Sequence, residues 1–589
     1  MSTFMLTYIC CCVLVLLALN FTLLKKPSAS STDLYENEPS SEPVKVGRIL
    51  FVLLFGMFIV ILNQTSLNVA LPIMMNDLNV STTTAQWLIT GFMLVNGVLI
   101  PISAYLVGRF GFRKLFITAM VCFTLGSLIC AISHSFTLMM IGRIIQAIGA
   151  GILMPLGMNI FMTIFPPEKR GAAMGIMGIA MILAPAIGPT LTGWIIQHHD
   201  WNIIFYGMTA IGLIDTLFAV FWFKIPHIIK KAPFDLVGVI FSCIGFGSVL
   251  YGFSEAGSKG WDSAVVILTL TVGLLFIALF SWRQLISAAP LLELRVLKYK
   301  IFTFTILINS IVTMSLFGAM LLLPIYLQNI RGFTPLESGL LLLPGALIMG
   351  VMGPIAGKIF DKFGIRILAV VGMIITTIAT WEFTHLTNDT PYHVILGYYS
   401  LRSFGMSLIM MPIMTAGMNA LPLRLIPHGT AMSNTVRQVA GSIGTAILVT
   451  VMTTQTSAHL ADYTNNITSV QSSIINELHD LSQTIEGTAH LPTETSQSLS
   501  LQLIYSQAAK SSTIHGINDA FMVATLLSLV ALVLAFFLKT PKLNTESGDE
   551  ANSTNTFTDS SLDKSPLKDA TANNSNNTIT PHKENTPST

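Results

Sequence analysis

The chain has 589 residues, of which 52% are hydrophobic and only 10% are charged, whereas a soluble domain carries about 25% charged residues. Its mean hydropathy is +0.70, and its formal net charge is only +2, so we expect no nucleic-acid partner. These values exclude an ordinary soluble protein and favour one that lies in a lipid bilayer.

Long apolar runs recur along the chain from residue 49 to residue 539. Each is close to the 20 residues that a helix needs to cross about 30 Å of hydrocarbon. The runs are continuous and rich in Leu, Ile, Met and Gly, so they predict helices rather than short alternating strands. Taking each run as one span gives 14 spans, and we predict an all-α polytopic membrane protein.

A further apolar segment occupies residues 1–24 and is followed by Lys25 and Lys26. No basic region precedes it and no small-residue cleavage site follows it, which argues against a cleaved signal peptide. We interpret it as an extra span, the alternative being a start assigned too far upstream. Residues 25–45 and 541–589 are polar and predict a flexible linker and a disordered tail.

The 31 Lys and Arg residues are distributed very unevenly over this span map. Twenty-five lie on the side that holds residues 25–45 and the C-terminal tail, three lie on the opposite side, and three fall within spans. Because basic residues are retained on the cytoplasmic side, both ends of the 14-span unit are predicted to be cytoplasmic.

An internal repeat is visible in the segments AYLVGRFGFRKL and GKIFDKFGIRIL. At one offset of 253 residues, Gly111 aligns with Gly364 and Arg113 aligns with Arg366. The repeat predicts six-helix bundles at residues 46–225 and 301–540, joined by two linker helices and a loop at 226–300. A transporter with repeated halves commonly binds its substrate between them. Residues 454–516 are predicted to form a long outside loop, either a linker or a docking segment for a partner.

The second copy of the repeat completes a GxxxDxxGxR pattern with Gly357 and Asp361. An Asp in such a turn can accept hydrogen bonds from helix N-termini or basic side chains and so hold two helices together. The alternative is an ordinary basic loop. In the first copy Gly108 stands where the pattern has Asp, so its latch is expected to be weaker or supplied differently.

Three arginines fall within predicted spans: Arg143, Arg402 and Arg437. An Arg at a helix centre costs about 2.5–3.5 kcal/mol on insertion scales, so each must face protein or water. Two interpretations stay open, a bond to carbonyls that fastens helices together and an electrostatic partner for a proton or substrate site. Arg437 shares a polar helical face with Asn434 and Gln438.

Few acids lie within the spans, namely Asp215, Glu382 and, at the outer mouth of span ten, Glu337. A buried carboxyl group favours its neutral form, so it can take up a proton on one side and release it on the other. We interpret Asp215 and Glu382 as proton-coupling candidates, with Arg143 as their electrostatic partner. The alternatives are an Arg-paired structural acid for Asp215 and an interfacial acid for Glu382.

Span five contains MGIMGIAMILAPAIGPTLTGW, whose Pro185, Gly188, Pro189 and Gly193 permit bending and close helix approach. Together with the repeated turns, Arg143, and the segments LNQTSLNVALP, TAQWLITGFML and NTVRQVAGSIGTA, it resembles the major facilitator superfamily. Within that superfamily the chain looks like the 14-helix drug:H+ antiporter family, and it is most similar there to the branch of lincomycin-resistance and related multidrug exporters. The resemblance implies a Gly-Pro hinge that acts in antiport and a central cavity between the bundles.

One position departs from this resemblance. Many relatives have Asp in the first span where this chain has Asn63, and a neutral amide cannot carry a proton. Asn63 and its neighbour can instead hydrogen-bond a substrate or another helix. The predicted cavity residues are polar or adaptable apolar side chains within spans: Asn63, Gln64, Trp87, Asn96, Asn309, Arg402, Met410, Met414, Asn434 and Arg437.

The sequence therefore predicts proton-coupled efflux of small hydrophobic or cationic compounds across the cell membrane by alternating access. We expect a monomer in the bilayer that uses no metal or other cofactor. A proton-coupled importer or exporter of a specific metabolite is the first alternative, and a membrane-embedded enzyme is the second. ATP-driven export is disfavoured because no GxxxxGK[ST] phosphate loop occurs in the chain.

Overall fold

The computed structural model describes residues 46–80, 82–223, 225, 235–287, 290–468, 483 and 492–538. The extra span predicted at 1–24, the linker at 25–45 and the tail at 541–589 lie outside these residues.

The described chain is helical, and no strand occurs in it. Fourteen segments of it are long and apolar enough to cross a membrane, which confirms the predicted all-α membrane fold. The helices are α1 Val46–Asp77, α2 Thr82–Phe110, α3 Phe112–Ala131, α4 Phe136–Ile164, α5 Arg170–His198, α6 Asn202–Trp222, α7 Leu236–Lys259, α8 Ala264–Ile286, α9 Lys300–Ile325, α10 Pro335–Phe363, α11 Ile365–Glu382, α12 Tyr392–Ser407, α13 Met410–Asn419, α14 Ile426–Thr468 and α15 Thr493–Phe536.

The twelfth span is broken into α12 and α13. Pro412 has no N–H group, and its ring clashes with the carbonyl four residues earlier, that of Leu408. The amide of Leu408 bonds to the carbonyl of Gly405 at 3.2 Å, which is the tighter spacing of a helix end. Three methionines of α13 beyond the break are buried, Met411, Met414 and Met418.

The repeated turns have the same backbone conformation in both halves. Gly111 ends α2 with φ of 74°, and Gly364 ends α10 with φ of 78°. Only glycine adopts this region without strain, so the two turns explain why both copies of the motif have glycine there. We call the end of the molecule that carries these turns the basic end.

The arginine of each turn caps the last helix of its own half. Arg113 Nη2 donates to the carbonyl of Val220 in α6 at 2.8 Å, and Arg366 Nη2 donates to the carbonyl of Phe536 in α15 at 2.7 Å. The last carbonyls of a helix lack partners within it and favour a positive charge. The arginine therefore closes each six-helix bundle at the basic end.

The linker helices α7 and α8 are joined at the basic end by Asp235. Its carboxylate accepts from the Gly238 amide at 3.0 Å and from Arg283 Nε at 2.8 Å. Burial alone would raise the pKa of Asp235, but these hydrogen bonds outweigh it and hold the pKa below its ordinary value. Asp235 therefore holds α7 and α8 together at the basic end, and we call the two helices the linker unit.

Part of the segment predicted as a long outside loop is helical. The helix α14 continues to Thr468 and α15 begins at Thr493, so both extend beyond their apolar portions. His459 Nε2 and Asp519 Oδ2, 2.9 Å apart, join the two helices.

Candidate transport pathway

The two halves approach most closely where α5 of the first crosses α10 of the second. A Cβ on Gly175 would stand 2.6 Å from the carbonyl carbon of Gly353 and 2.7 Å from Cα of Pro354. A Cβ on Gly357 would stand 2.5 Å from the carbonyl carbon of Gly171. These obstacles are backbone atoms, which cannot rotate away. Glycine at these positions is therefore what lets the halves touch.

Asp361 fastens this crossing at the basic end. Its Oδ1 accepts from the amide of Gly171 and its Oδ2 accepts from the amide of Ala172, both at 3.0 Å. These amides belong to the first turn of α5, where N–H groups have no partner within the helix and a negative charge is favoured. The carboxylate of the second half thus caps a helix of the first.

The first half has no equivalent acid, and other side chains join the halves there. A Cβ on Gly108 would meet nothing within 4 Å. The Thr430 hydroxyl of α14 donates to Oδ1 of Asn159 in α4, and Arg170 Nη1 donates to Oδ1 of Asn419 at 3.1 Å. At the basic end the halves are therefore joined by the carboxylate of Asp361 and by the side-chain amide oxygens of Asn159 and Asn419.

We expect Asp361→Asn to open the basic end more often. An amide keeps the shape of the carboxylate but loses its charge and one of its two acceptor oxygens. A loss of about 1–2 kcal/mol shifts the population about 5–30-fold. Electron spin-echo distance measurements between labels at the exposed positions Glu168 and Lys362 should show a longer component. The same change at the exposed Asp200 should leave the distances unaltered, and an unaltered distribution in Asp361→Asn would contradict the latch.

Arg143 lies at the centre of the first bundle with 1% of its surface exposed. Its Nη1 donates to Oδ1 of Asn63 at 2.8 Å and to Oε1 of Gln146 at 2.6 Å, and its Nε donates to the carbonyl of Leu88 at 3.2 Å. The guanidinium also stacks 4.2 Å from the ring centre of Phe92. In the described chain Arg143 fastens α1, α2 and α4 together, and Asn63 is one of its acceptors.

Arg402 occupies the related position in the second half and is 3% exposed. Its Nε donates to the Thr380 hydroxyl and its Nη2 to the carbonyl of Ser315, both at 3.2 Å. Thr380 aligns with Ser127 of the first half at the repeat offset of 253, and Ser127 accepts from Gln146 at 2.7 Å. Both bundles therefore use a buried arginine as an internal fastener.

Asp215 is fully buried in α6, and neither carboxylate oxygen has a hydrogen-bond partner in the described structure. Its surroundings are α1 and α3. A Cβ on Gly56 of α1 would stand 2.7 Å from Oδ2 of Asp215, beside the ring of Phe116 and the sulfur of Met120. The expected alternative of an Arg-paired acid does not hold within these residues. An ionised carboxylate here would lose its hydration without compensation, so the site fits a protonated acid.

The other predicted acids lie at the end opposite the basic end. Glu382 is half-buried at the end of α11 and interacts with Tyr398. Glu337 belongs to a capping box, in which its carboxylate accepts from the Thr334 amide at 2.8 Å while its own amide donates to the Thr334 hydroxyl at 3.2 Å. That arrangement gives Glu337 a structural role at the start of α10.

One face of α14 carries the polar residues that meet the first half. Asn434 contacts the sulfur of Met158 at 4.0 Å, and a Cβ on Gly97 would stand 3.5 Å from Cγ of Gln438. Arg437 lies between Asn434 and Gln438 and is partly exposed. The predicted polar face of this helix is thus part of the surface where the halves meet.

The remaining predicted residues are dispersed. Asn309 and Met414 line a cavity of about 10 Å³, which holds one water at most. Trp87 stacks on Tyr251 of α7 with ring centres 5.5 Å apart, and Asn96 is buried. Gln64 and Met410 are half-buried.

The predicted hinge residues all lie in α5. Pro185 and Pro189 are inside this helix. Gly188 faces the Thr65 hydroxyl of α1, and Gly193 lies near Leu336 of α10.

The arrangement of helices is shared with a solved transporter. The human organic anion transporter MFSD10 (TETRAN) aligns with a TM-score of 0.55 over 84% of this chain and 100% of that chain, at 14% identity, which shows the fold alone. Residues 53–445 of the sequence match the family described as the Major Facilitator Superfamily. The chain belongs to the major facilitator superfamily.

The sequence of this superfamily member aligns with those of bacterial relatives over most of its length. YhcA of Bacillus subtilis (strain 168), an uncharacterized MFS-type transporter, is 50% identical over 83% of this chain and 92% of that protein. The lincomycin resistance protein LmrB of the same organism is 36% identical over 86% of this chain and 98% of that protein. The chain is therefore a multi-pass membrane transporter, not an enzyme, and it is similar to named drug-resistance proteins.

Three residues that hold these helices together, Gln146, Asn159 and Thr430, were not predicted from the sequence. Gln146 stands three residues after Arg143 on an apolar helix, and that spacing was a readable signal of a shared face. The pair of Asn159 and Thr430 gave no signal, because 271 residues separate the two.

Proposed function

We propose that this transporter exports small hydrophobic compounds across the cell membrane in exchange for protons, by alternating access between its two halves. The names of its drug-resistance relatives support export. The closed basic end supports alternating access, because its latch joins Asp361 of the second half to the first turn of α5 in the first half. The observation that carries the proton coupling is Asp215, a buried carboxyl group without a described partner.

The orientation follows from charge. The basic end carries most of the lysines and arginines, so we place it in the cytoplasm together with the C-terminus. The structure then represents a state closed toward the cytoplasm. In this orientation the exporter takes up substrate after the latch at Asp361 opens.

The position of Asp215 suggests how proton binding reaches the rest of the bundle. It packs against Gly56 of α1, and Asn63 lies seven residues further along the same helix, where it accepts from Arg143. Seven residues are about two turns, or roughly 10 Å, so both contacts lie on one face of α1. Ionisation of Asp215 would require water or a donor, which means a shift of α1 or α6. A shift of α1 also disturbs the fastener at Arg143.

The energy of one proton suits this task. A proton that enters down 100 mV supplies about 2.3 kcal/mol, and one pH unit adds about 1.4 kcal/mol. Together they sustain roughly a 500-fold gradient of a neutral solute at one proton per molecule.

The test is accumulation of a drug such as lincomycin in cells that lack their own pumps. Expression of the transporter should lower accumulation, and a protonophore should abolish the difference. Everted vesicles energised inside-acid should accumulate the same compound. Unchanged accumulation with and without the protonophore would rule out the proposed export, and uptake in the opposite direction would indicate an importer.

A further inference from the structure

We propose that the surface between the two halves selects neutral and anionic amphiphiles over cations, and that Arg437 binds the anionic group. This proposal rests on the export function proposed above and specifies its substrate class. Hydrophobic or cationic compounds are predicted from the sequence alone, and this proposal replaces the cationic class by neutral and anionic amphiphiles.

Arg437 lies in the part of α14 that meets the first half. Residues three, four and seven apart share a helix face, so Arg437 shares one with Asn434 and Thr430, and Gln438 follows it directly in the chain. Thr430 bonds to Asn159 of α4, and Asn434 contacts α4 through Met158. Gln438 lies against Gly97 of α2. A substrate that passes between the halves therefore passes this face.

Arg437 differs from the other two arginines within the spans. Arg143 and Arg402 are 1% and 3% exposed and donate to three and two acceptors on other residues. Arg437 is partly exposed, and among the described residues its one hydrogen bond runs from Nη2 to Oδ1 of Asn434 at 3.0 Å. A guanidinium has five N–H donors in a planar fork. Arg437 therefore keeps donors free for a ligand.

The acids within the spans do not offset this charge. Asp215 is sealed between α1, α3 and α6, and Asp361 is held by the amides of α5. Glu382 lies at the far end of α11 beside Tyr398. Glu255 of α7 pairs with Lys259 at 2.6 Å, and Asp519 of α15 lies 2.9 Å from His459. In the described chain no ion pair involves Arg437. Among the residues that the structure describes, the surface between the halves thus carries a positive charge without a counter-ion.

Electrostatics in this poorly hydrated region sets the preference. A cationic compound would come close to a guanidinium with no carboxylate to compensate, which is unfavourable at low dielectric. A carboxylate or sulfonate can accept two parallel hydrogen bonds from the guanidinium. A neutral compound meets neither effect and gains only apolar contacts.

The charge of the substrate also changes the energetics of exchange. A neutral compound exported for one proton moves one positive charge inward. A monoanion exported for one proton moves the equivalent of two, so the membrane potential acts on it twice as strongly. Export of an anion should therefore depend more steeply on the membrane potential than export of a neutral analogue.

The test uses two probes of similar shape, the anionic 1-anilinonaphthalene-8-sulfonate and the neutral N-phenyl-1-naphthylamine. Binding to the full-length protein in nanodiscs is titrated, with empty nanodiscs subtracted. We measure the ratio of the affinity for the anionic probe to the affinity for the neutral probe. In Arg437→Gln this ratio should fall about tenfold. Arg437→Lys should retain most of the preference. Arg424→Gln, at an exposed position before α14, should leave the ratio unchanged.

A second variant keeps the proposal testable if Arg437→Gln does not fold. Gln438→Glu adds an acid next to Arg437, on the side of α14 that lies against Gly97, and it should reduce the same ratio while ethidium, a cation, binds more tightly. An unchanged ratio in both variants, or tighter binding of ethidium than of the sulfonate by the unaltered protein, would overturn the proposal. If everted vesicles still export the neutral probe, the proposed export function stands even when the charge preference fails.

Discussion

Replacing Asp215 by Asn is expected to abolish uphill export while substrate binding is retained. Asn has the shape of the protonated acid, so the packing against Gly56 is preserved and the bundle should fold. It cannot release a proton, so the roughly 500-fold gradient that one proton can sustain should fall to about onefold. The measurement is substrate-induced proton release from acid-loaded everted vesicles, followed with a pH-sensitive dye, alongside equilibrium binding of the same substrate.

A matched control for this experiment is Asp262→Asn, because Asp262 is exposed in the loop between α7 and α8. It should behave like the unaltered protein. If Asp215→Asn still drives uphill export, the proton is carried elsewhere, and Glu382→Gln becomes the next variant. Loss of both binding and export would show that Asp215 is needed for the fold rather than for coupling.

The second large effect is expected from Gly175→Val. The added Cβ would lie within 3 Å of the backbone of Gly353 and Pro354, and backbone atoms can yield only if α5 and α10 move apart. Overpacking of this kind costs about 1–3 kcal/mol, which corresponds to about 5–150-fold in a conformational equilibrium. The separation would also pull the amides of α5 from Asp361. Export should therefore drop by at least tenfold, as measured by drug accumulation in cells at matched expression.

Gly207→Ala is the control for this substitution. A Cβ at Gly207 meets nothing within 4 Å, and alanine favours a helix over glycine by about 1 kcal/mol. Export by Gly207→Ala should match that of the unaltered protein. Normal export by Gly175→Val would mean that the halves need not touch at this crossing.

The helices were predictable because the length and the hydrophobicity of each span can be read directly from its own residues. The repeat was equally readable, since glycine at 111 and 364 and arginine at 113 and 366 recur at one spacing. The acceptor role of Asp361 followed from its motif. Its partners did not, because the amides of Gly171 and Ala172 lie about 190 residues away and only the packing of α5 on α10 brings them together.

Other features depended on packing in the same way. The cost of burying Arg143 required that it have partners, but it did not say that Asn63 and Gln146 supply them. From the sequence, Asp215 could have paired with an arginine. In the structure α1 packs against α6 at this point, and among the described residues no arginine reaches the carboxylate. Glu337 was readable as a cap, because Thr334 stands three residues before it in the T-x-x-E pattern.

The linker helix α7 touches both halves, but by different kinds of contact. Toward the first half it presents apolar surfaces, with Leu250 against Gly97 and Tyr251 stacked on Trp87. Toward the second half, hydrogen bonds hold the linker unit at both of its ends. Trp261, just beyond α7, donates to Thr450 at 2.9 Å, and the amide of Glu293, beyond α8, donates to His428 at 3.2 Å.

Apolar contacts can slide, whereas these hydrogen bonds cannot do so without breaking. When the halves rock, α7 and α8 should therefore travel with the second half. The two moving bodies are then unequal, one of six spans and one of eight, and the larger one sweeps a greater area of lipid. A thicker or stiffer bilayer would resist that larger body more, which links the turnover of the transporter to the mechanics of the membrane around it.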